Sequence, residues 1–246
     1  MPRRVRFNRL CAKWFCADML EAIDRHGMIA AGDTVAVALS GDLNSTALLY
    51  MLNYLKHYSP LHCRLVALHI RISPSRDIAR LRRYCEELGV EYLEEQAGPE
   101  TTVLSANEAI RRPRGVRAAL VKGLTQHGIG TAAFAHNAND IAETFFVNLV
   151  RTNKPVSLAP RVDPGSRGPV VIRPMVYLPE RVIRRVHSHF GLPCVPCPDV
   201  AVEDDLRAES RRTVGEIDNR FGIKAFARSI VDSLERVDES DVWSRG

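Results

Sequence analysis

The stretch Thr34-Val35-Ala36-Val37-Ala38-Leu39-Ser40-Gly41-Asp42-Leu43-Asn44-Ser45-Thr46-Ala47-Leu48-Leu49-Tyr50 decides the fold. Its first six residues are apolar or β-branched and read as a buried strand. Ser40 to Asn44 read as a tight turn, and Ser45 opens a helix-forming run. A strand feeding a Ser/Gly turn and then a helix aims backbone N–H groups at the space beyond the strand end, and both the turn and the helix dipole favour an anion there. Ser40, Gly41 and Ser45 are therefore the candidate phosphate-cradling residues, with Asp42 and Asn44 set between them.

Outward from this unit the pattern repeats. Strands are expected at Thr34–Leu39, Leu65–Ile70, Val90–Leu93, Thr131–Ala135 and Val170–Ile172, with helices near 45–56, 75–88, 114–127, 139–151 and 179–190. Alternation of this kind predicts βαβ units: a doubly wound α/β domain with a parallel sheet covered on both faces. Ligands of such sheets bind beyond the carboxyl ends of the strands, where Ser40–Ser45 lies. An amphipathic helix over 7–26, closed by Gly27, precedes the domain, and polar helices near 203–218 and 222–236 follow it. The expected division is 1–30 for the N-terminal helix, 31–200 for the nucleotide-binding-like domain and 201–246 for a helical extension. Gln96–Ser105 and the Pro/Gly-rich Thr152–Pro169 read as loops.

Composition narrows the classes. With 246 residues and 46% hydrophobic content the chain can bury one sizeable core. No apolar run approaches the roughly 20 residues that span a bilayer, and polar residues interrupt the N-terminus, so neither a membrane protein nor a secreted one is expected. A cytoplasmic location and six reduced cysteines follow as expectations. Cys11, Cys16, Cys63 and Cys85 fall in apolar periodic positions and read as packing residues. The net charge of +5 is unevenly spread: Arg111, Arg112, Arg114 and Arg117 form one basic cluster, Arg181, Arg184 and Arg185 another, and the C-terminal stretch is acidic. Basic clusters of this kind suit phosphate backbones, and the first is the candidate RNA contact.

Further segments carry a resemblance. Phe134-Ala135-His136-Asn137-Ala138-Asn139-Asp140 is similar to a GHxxDD element, Ile172-Arg173-Pro174-Met175 to an IRPL element, and Pro196-Cys197 to a PC pair, while Ser40–Ser45 is similar to an SGGxDS loop. In this order and spacing, over roughly residues 7–220, they resemble the tRNA 2-thiocytidine synthetase (TtcA-like) branch of the PP-loop ATP pyrophosphatases. The resemblance implies an adenine nucleotide α-hydrolase fold, ATP with Mg²⁺, and tRNA as substrate. It also implies a thiolation in which a cytidine is adenylated with release of pyrophosphate, after which sulfur replaces the adenylate with the use of an iron–sulfur cluster held by three cysteines. It places the nucleotide near Ser40, Gly41, Asp42, Asn44, Ser45, His69, Arg71, His136, Asp140 and Arg173. His136 also reads simply as a cap or packing residue, and Asn139 as the N-cap of the helix that follows.

The chain departs from that pattern at each chemical part. Asp42 stands where the loop has its second glycine, Asn44 where it has an aspartate, and Asn139 where GHxxDD has its first acid. A carboxylate about 4 Å from a phosphate charge costs on the order of 4 kcal/mol at an effective dielectric near 20. Either Asp42 turns away or a cation such as Arg71 offsets it. The two CxxC cysteine positions fall on Ala106 and Ala109, leaving Cys197 as the surviving family cysteine, with Val200 three residues on. An iron–sulfur cluster is not expected. His187, His189, Cys194 and Cys197 together offer zinc ligands, against which stands the fact that helical residues two apart do not share a face. The expectation is a diverged homologue, impaired in adenylation and sulfur transfer, that binds nucleotide or tRNA, alone, as a homodimer or beside a paralogous partner. The alternative is an active ATP pyrophosphatase that adenylates a tRNA base without the family cluster.

Overall fold

A computed structural model of the chain describes residues 13–72, 78–98, 114–195, 205–221 and 226–236. Among these the elements are α1 (Cys16–Arg25), β1 (Thr34–Ala38), α2 (Leu43–Tyr58), β2 (Arg64–Arg71), α3 (Ile78–Leu88) and β3 (Glu91–Gln96). After these come α4 (Arg114–Gln126), β4 (Thr131–Ala133), α5 (Ala138–Thr152), β5 (Arg161–Val162), β6 (Val170–Ile172), α6 (Glu180–Phe190), α7 (Asp205–Phe221) and α8 (Phe226–Arg236).

The sheet runs β3-β2-β1-β4-β6-β5. The pairings among β3, β2, β1, β4 and β6 are all parallel, and β5 joins the β6 edge antiparallel. From β1 the chain builds outward through β2 and β3, then crosses back to lay β4 against the other side of β1. The ends of β1 and β4 thus form the switch point where α/β sheets open a crevice.

Side-chain alternation along β1 divides the core. Val35, Val37 and Leu39 face one layer with Leu48, Met51 and Leu52 of α2, Leu81 of α3 and Ile183 and Val186 of α6. Ala36 and Ala38 face the other, where Val116, Ala119, Leu120 and Leu124 of α4 pack. Both faces are covered, which explains why α2 is buried from Ser45 through Leu55 and reads as apolar all round. The first layer takes in more than the central domain. Phe15 and Met19 of the N-terminal segment and Val214, Ala227, Ile230 and Val231 of the C-terminal one belong to the same hydrophobic cluster.

The expected elements recur, with corrections at their ends. Helix α2 begins at Leu43, two residues earlier than expected, because Asp42 caps it. Strand β4 ends at Ala133. The loop expected over Thr152–Pro169 contains β5, a two-residue strand pairing Arg161 with Ile172 and Val162 with Val171. The expected loop Gln96–Ser105 lies largely outside the described residues, as do positions 7–12 of the helix expected over 7–26, which among the described residues begins at Cys16. No helix among the described residues is long and apolar enough to cross a membrane.

Candidate functional site

The turn after β1 closes on itself. Gly41 takes φ +87°, a conformation that favours glycine, and a Cβ there would meet Leu81 at 3.0 Å. Its N–H donates to Ser45 Oγ (3.1 Å), and Ser40 Oγ donates to the same oxygen (2.9 Å). The Ser45 hydroxyl in turn donates to the Asp42 carbonyl (3.2 Å). One donation and two acceptances use the full capacity of a hydroxyl, and Ser45 is 1% exposed. The Asp42 carboxylate folds back onto the start of α2 and accepts the Ser45 N–H at 2.7 Å. An aspartate in that place satisfies an orphan donor and complements the helix dipole. Asp42 thus neither turns away from the loop nor is offset by Arg71. It supplies from within the chain the negative charge that the turn and helix start attract.

The turn after β4 is built the same way. Asn137 caps α5, its Oδ1 accepting the N–H groups of Asn139 (2.9 Å) and Asp140 (3.3 Å), while Asp140 Oδ2 accepts the Asn137 N–H (2.9 Å). This is a reciprocal capping box. The expected cap, Asn139, does something else: its Oδ1 accepts the Glu180 N–H at 2.9 Å and so ties the start of α5 to the start of α6. Burial pushes the Asp140 carboxyl up to about 7, against the Asn137 N–H that favours ionisation, and the neighbouring Glu143 adds to the rise.

Between the two turns lies a cleft of ≈ 290 Å³ whose walls carry Asp42, Asn44, Asn139, Asp140, Glu143, Glu180, Arg184 and Arg211. Glu143 is 2% exposed. It accepts from Arg211 Nε and Nη2, both at 3.2 Å, and Arg207 Nε stands 4.0 Å away. Burial still raises its carboxyl above the usual range, the arginines opposing. Arg184 is held by Glu180 at 2.6 Å. Four carboxylates therefore face two guanidiniums, each already paired.

The remaining predicted residues lie around this cleft. His69 is fully buried near the end of β2, where its Nδ1–H donates to the Leu39 carbonyl (2.7 Å) and its ring stacks on Tyr92. Arg71 ends β2 and turns to β3, donating to Gln96 (2.7 Å) and standing 3.4 Å from Glu94. Arg173, 9% exposed, donates to the Ala159 carbonyl and to His136 Nδ1 (3.3 Å). Burial lowers its guanidinium to about 10. His136 also stacks on Phe134.

The described zinc candidates, His187, His189 and Cys194, do not converge. His189 packs edge-on to Trp14, His187 Nε2 lies 3.4 Å from the Pro193 carbonyl, and Cys194 is exposed. Among the described residues no three metal-ligating side chains converge, and Cys197, Ala106 and Ala109 lie outside them. Of the basic cluster, Arg117 is exposed on α4, while Arg111 and Arg112 lie outside the described residues and Arg114 opens α4. Buried Cys85 has its thiol pushed up to about 12, and Cys16 to about 11, as burial dictates for inert packing cysteines.

Sequence reading missed Glu143, Glu180, Arg184 and Arg211 as cleft residues. Glu143 follows Asp140 by one helical turn and Arg184 follows Glu180 likewise, so helical spacing could have placed both. Arg211 carries no such signal, because its partner lies 68 residues away.

The PP-loop domain family matches residues 17–193. The chain belongs to that family. Its relatives include tRNA-cytidine(32) 2-sulfurtransferases: that of Dechloromonas aromatica is 30% identical over 82% of this chain and 72% of its own. That of Variovorax paradoxus is 28% identical over 88% of this chain and 71% of its own. Among solved structures, the U34-tRNA thiolase NcsA from Methanococcus maripaludis with its [4Fe-4S] cluster has the same fold. Its TM-score is 0.68 at 18% identity, covering 96% of this chain and 84% of that one. This PP-loop protein is thus related to the tRNA 2-thiolation proteins.

Proposed function

We propose that this PP-loop protein binds tRNA without adenylating it, acting as a diverged homologue of the tRNA 2-thiolation enzymes. The observation that carries the reading is the Asp42 carboxylate at 2.7 Å from the Ser45 N–H. It takes a donor that a nucleotide phosphate needs and brings a charge that repels it.

Several features support the reading. The Ser45 hydroxyl is saturated by Ser40, Gly41 and Asp42. Asp42 and Asp140 each commit one carboxylate oxygen to a helix cap, Glu143 and Glu180 are paired with Arg211 and Arg184, and Asn44 offers only a neutral amide. As they stand, these residues do not fit a metal-bound triphosphate.

The test is direct. Purified protein should bind unmodified tRNA in the absence of ATP, and should release no pyrophosphate from ATP and Mg²⁺ above background when that tRNA is added. tRNA-stimulated pyrophosphate release would overturn the reading. It would favour an active ATP pyrophosphatase, with Arg184 and Arg211 freed from their carboxylates to meet the phosphates.

A further inference from the structure

We infer that the exposed side of α6, together with Trp14 and the neighbouring side of α3, is the surface on which RNA lies, leading to the cleft. The inference rests on the tRNA-binding reading above and assigns it a place. Helix α6 is strongly amphipathic, with Ile183 and Val186 buried and Arg181, Arg185 and His189 exposed one turn apart. Arg185 stands over the Trp14 ring, its Cζ 3.9 Å from the centroid, and His189 meets the same ring edge-on at 5.4 Å. Trp14 is half-buried and exposed Lys13 precedes it. A guanidinium held over an indole is pre-organised for a phosphate or for an unstacked base.

The patch continues past the end of α6. Phe190, which touches His189 at 4.7 Å, lines a notch of ≈ 210 Å³ with Arg80, Arg83, Tyr84 and Glu87 of α3. Glu87 is the one carboxylate there among the described residues. At its other end α6 borders the main cleft through Glu180 and Arg184. Eleven helical residues span about 16 Å, enough for a strand to run from the notch to the cleft.

Pairing separates these arginines from their neighbours on the same helices. Arg82 and Arg184 on the same two helices are held by Glu94 at 2.9 Å and Glu180 at 2.6 Å. Arg80, Arg83, Arg181 and Arg185 form no ion pair among the described residues. Arginines in no such pair, beside a half-buried tryptophan, complement a polyanion and can release its counterions. Arg117, the sequence-based candidate, sits on α4 and hence on the opposite face of the sheet, so the two surfaces can be told apart.

The experiment is equilibrium binding of fluorescein-labelled tRNA across a salt series. The proteins compared are the unaltered chain, Arg181→Gln/Arg185→Gln, Arg80→Gln/Arg83→Gln and, as the opposite-face control, Arg117→Gln. Each α6 or α3 double variant should lose tenfold or more in affinity. Each should also flatten the slope of log K against log salt by about 1.4, two contacts at roughly 0.7 each for single strands. Arg117→Gln should match the unaltered protein. Unchanged affinity and slope in both double variants, with the unaltered protein binding, overturns this surface and leaves the tRNA reading standing. Failure of the unaltered protein to bind tRNA at low salt overturns both. Displacement by polyglutamate as effective as by unlabelled tRNA assigns the surface to an acidic protein and overturns the RNA assignment.

Discussion

Asp42 and Asp140 each cap a helix at the mouth of the same cleft, but they stand in different surroundings. Asp42 is exposed, whereas burial lifts the Asp140 carboxyl to about 7. An unfolded aspartate titrates near 3.9, so between about pH 4 and 7 the folded protein holds a proton that the unfolded chain has lost. The contribution of Asp140 is therefore fully present below about pH 4 and disappears as pH rises through 7. Its size is on the order of 4 kcal/mol. Asp140→Asn keeps an oxygen to accept the Asn137 N–H and removes the buried charge. Urea unfolding should show the variant gaining on the unaltered protein from pH 5 to pH 8; parallel pH profiles would contradict the assignment. Of the residue-level readings, the Ser/Gly turn and the helix after it were legible because both are local, while the start at Leu43 follows from the Asp42 cap. The cap at α5 was not, because Asn137 and Asn139 are equally good capping residues and only the contact to Glu180 separates their roles.

Helices α5, α6 and α7 meet at the cleft through side chains more than through backbone. Glu143 of α5 is buried and Arg211 of α7 reaches it with two bonds at 3.2 Å. Removing the arginine leaves a buried carboxylate with a weaker partner, Arg207, at 4.0 Å. Half of the Arg211 side chain is exposed, so solvent screens part of the loss. Arg211→Ala should cost about 1–2 kcal/mol in urea unfolding. Glu143→Leu/Arg211→Leu should cost less than the single change, since paired removal leaves no buried carboxylate short of its main partner, and Arg207 loses only a 4.0 Å contact. Equal or greater cost in the double variant would contradict this role for the contact. Strands and helices with a strong period were placed from sequence within a few residues. Strand β5 was not: two residues between prolines carry no period, and their pairing with β6 is set by the sheet edge they reach.

Across the whole molecule, the α/β order is written locally, one βα unit at a time, and the switch point between β1 and β4 then brings two capped turns together. What the local pattern does not carry is the sharing of one core by the flanking helices. Met19, Val214 and Ile230 join the same cluster as Val37 and Leu48 only once the chain has closed. The finished molecule has two contrasting regions: the cleft is acidic and self-bonded, while one outer helix face is basic, with Arg181 and Arg185 in no ion pair among the described residues. The most direct measurement is calorimetric titration with ATP, with and without Mg²⁺, of the unaltered protein and of Asp42→Gly. Glycine is itself a tolerated helix cap, so the fold should survive the change. The unaltered protein should show no micromolar binding, and Asp42→Gly should bind up to about a thousandfold tighter. Micromolar, Mg²⁺-dependent binding by the unaltered protein, unimproved by Asp42→Gly, would contradict a phosphate site filled by the chain's own carboxylate.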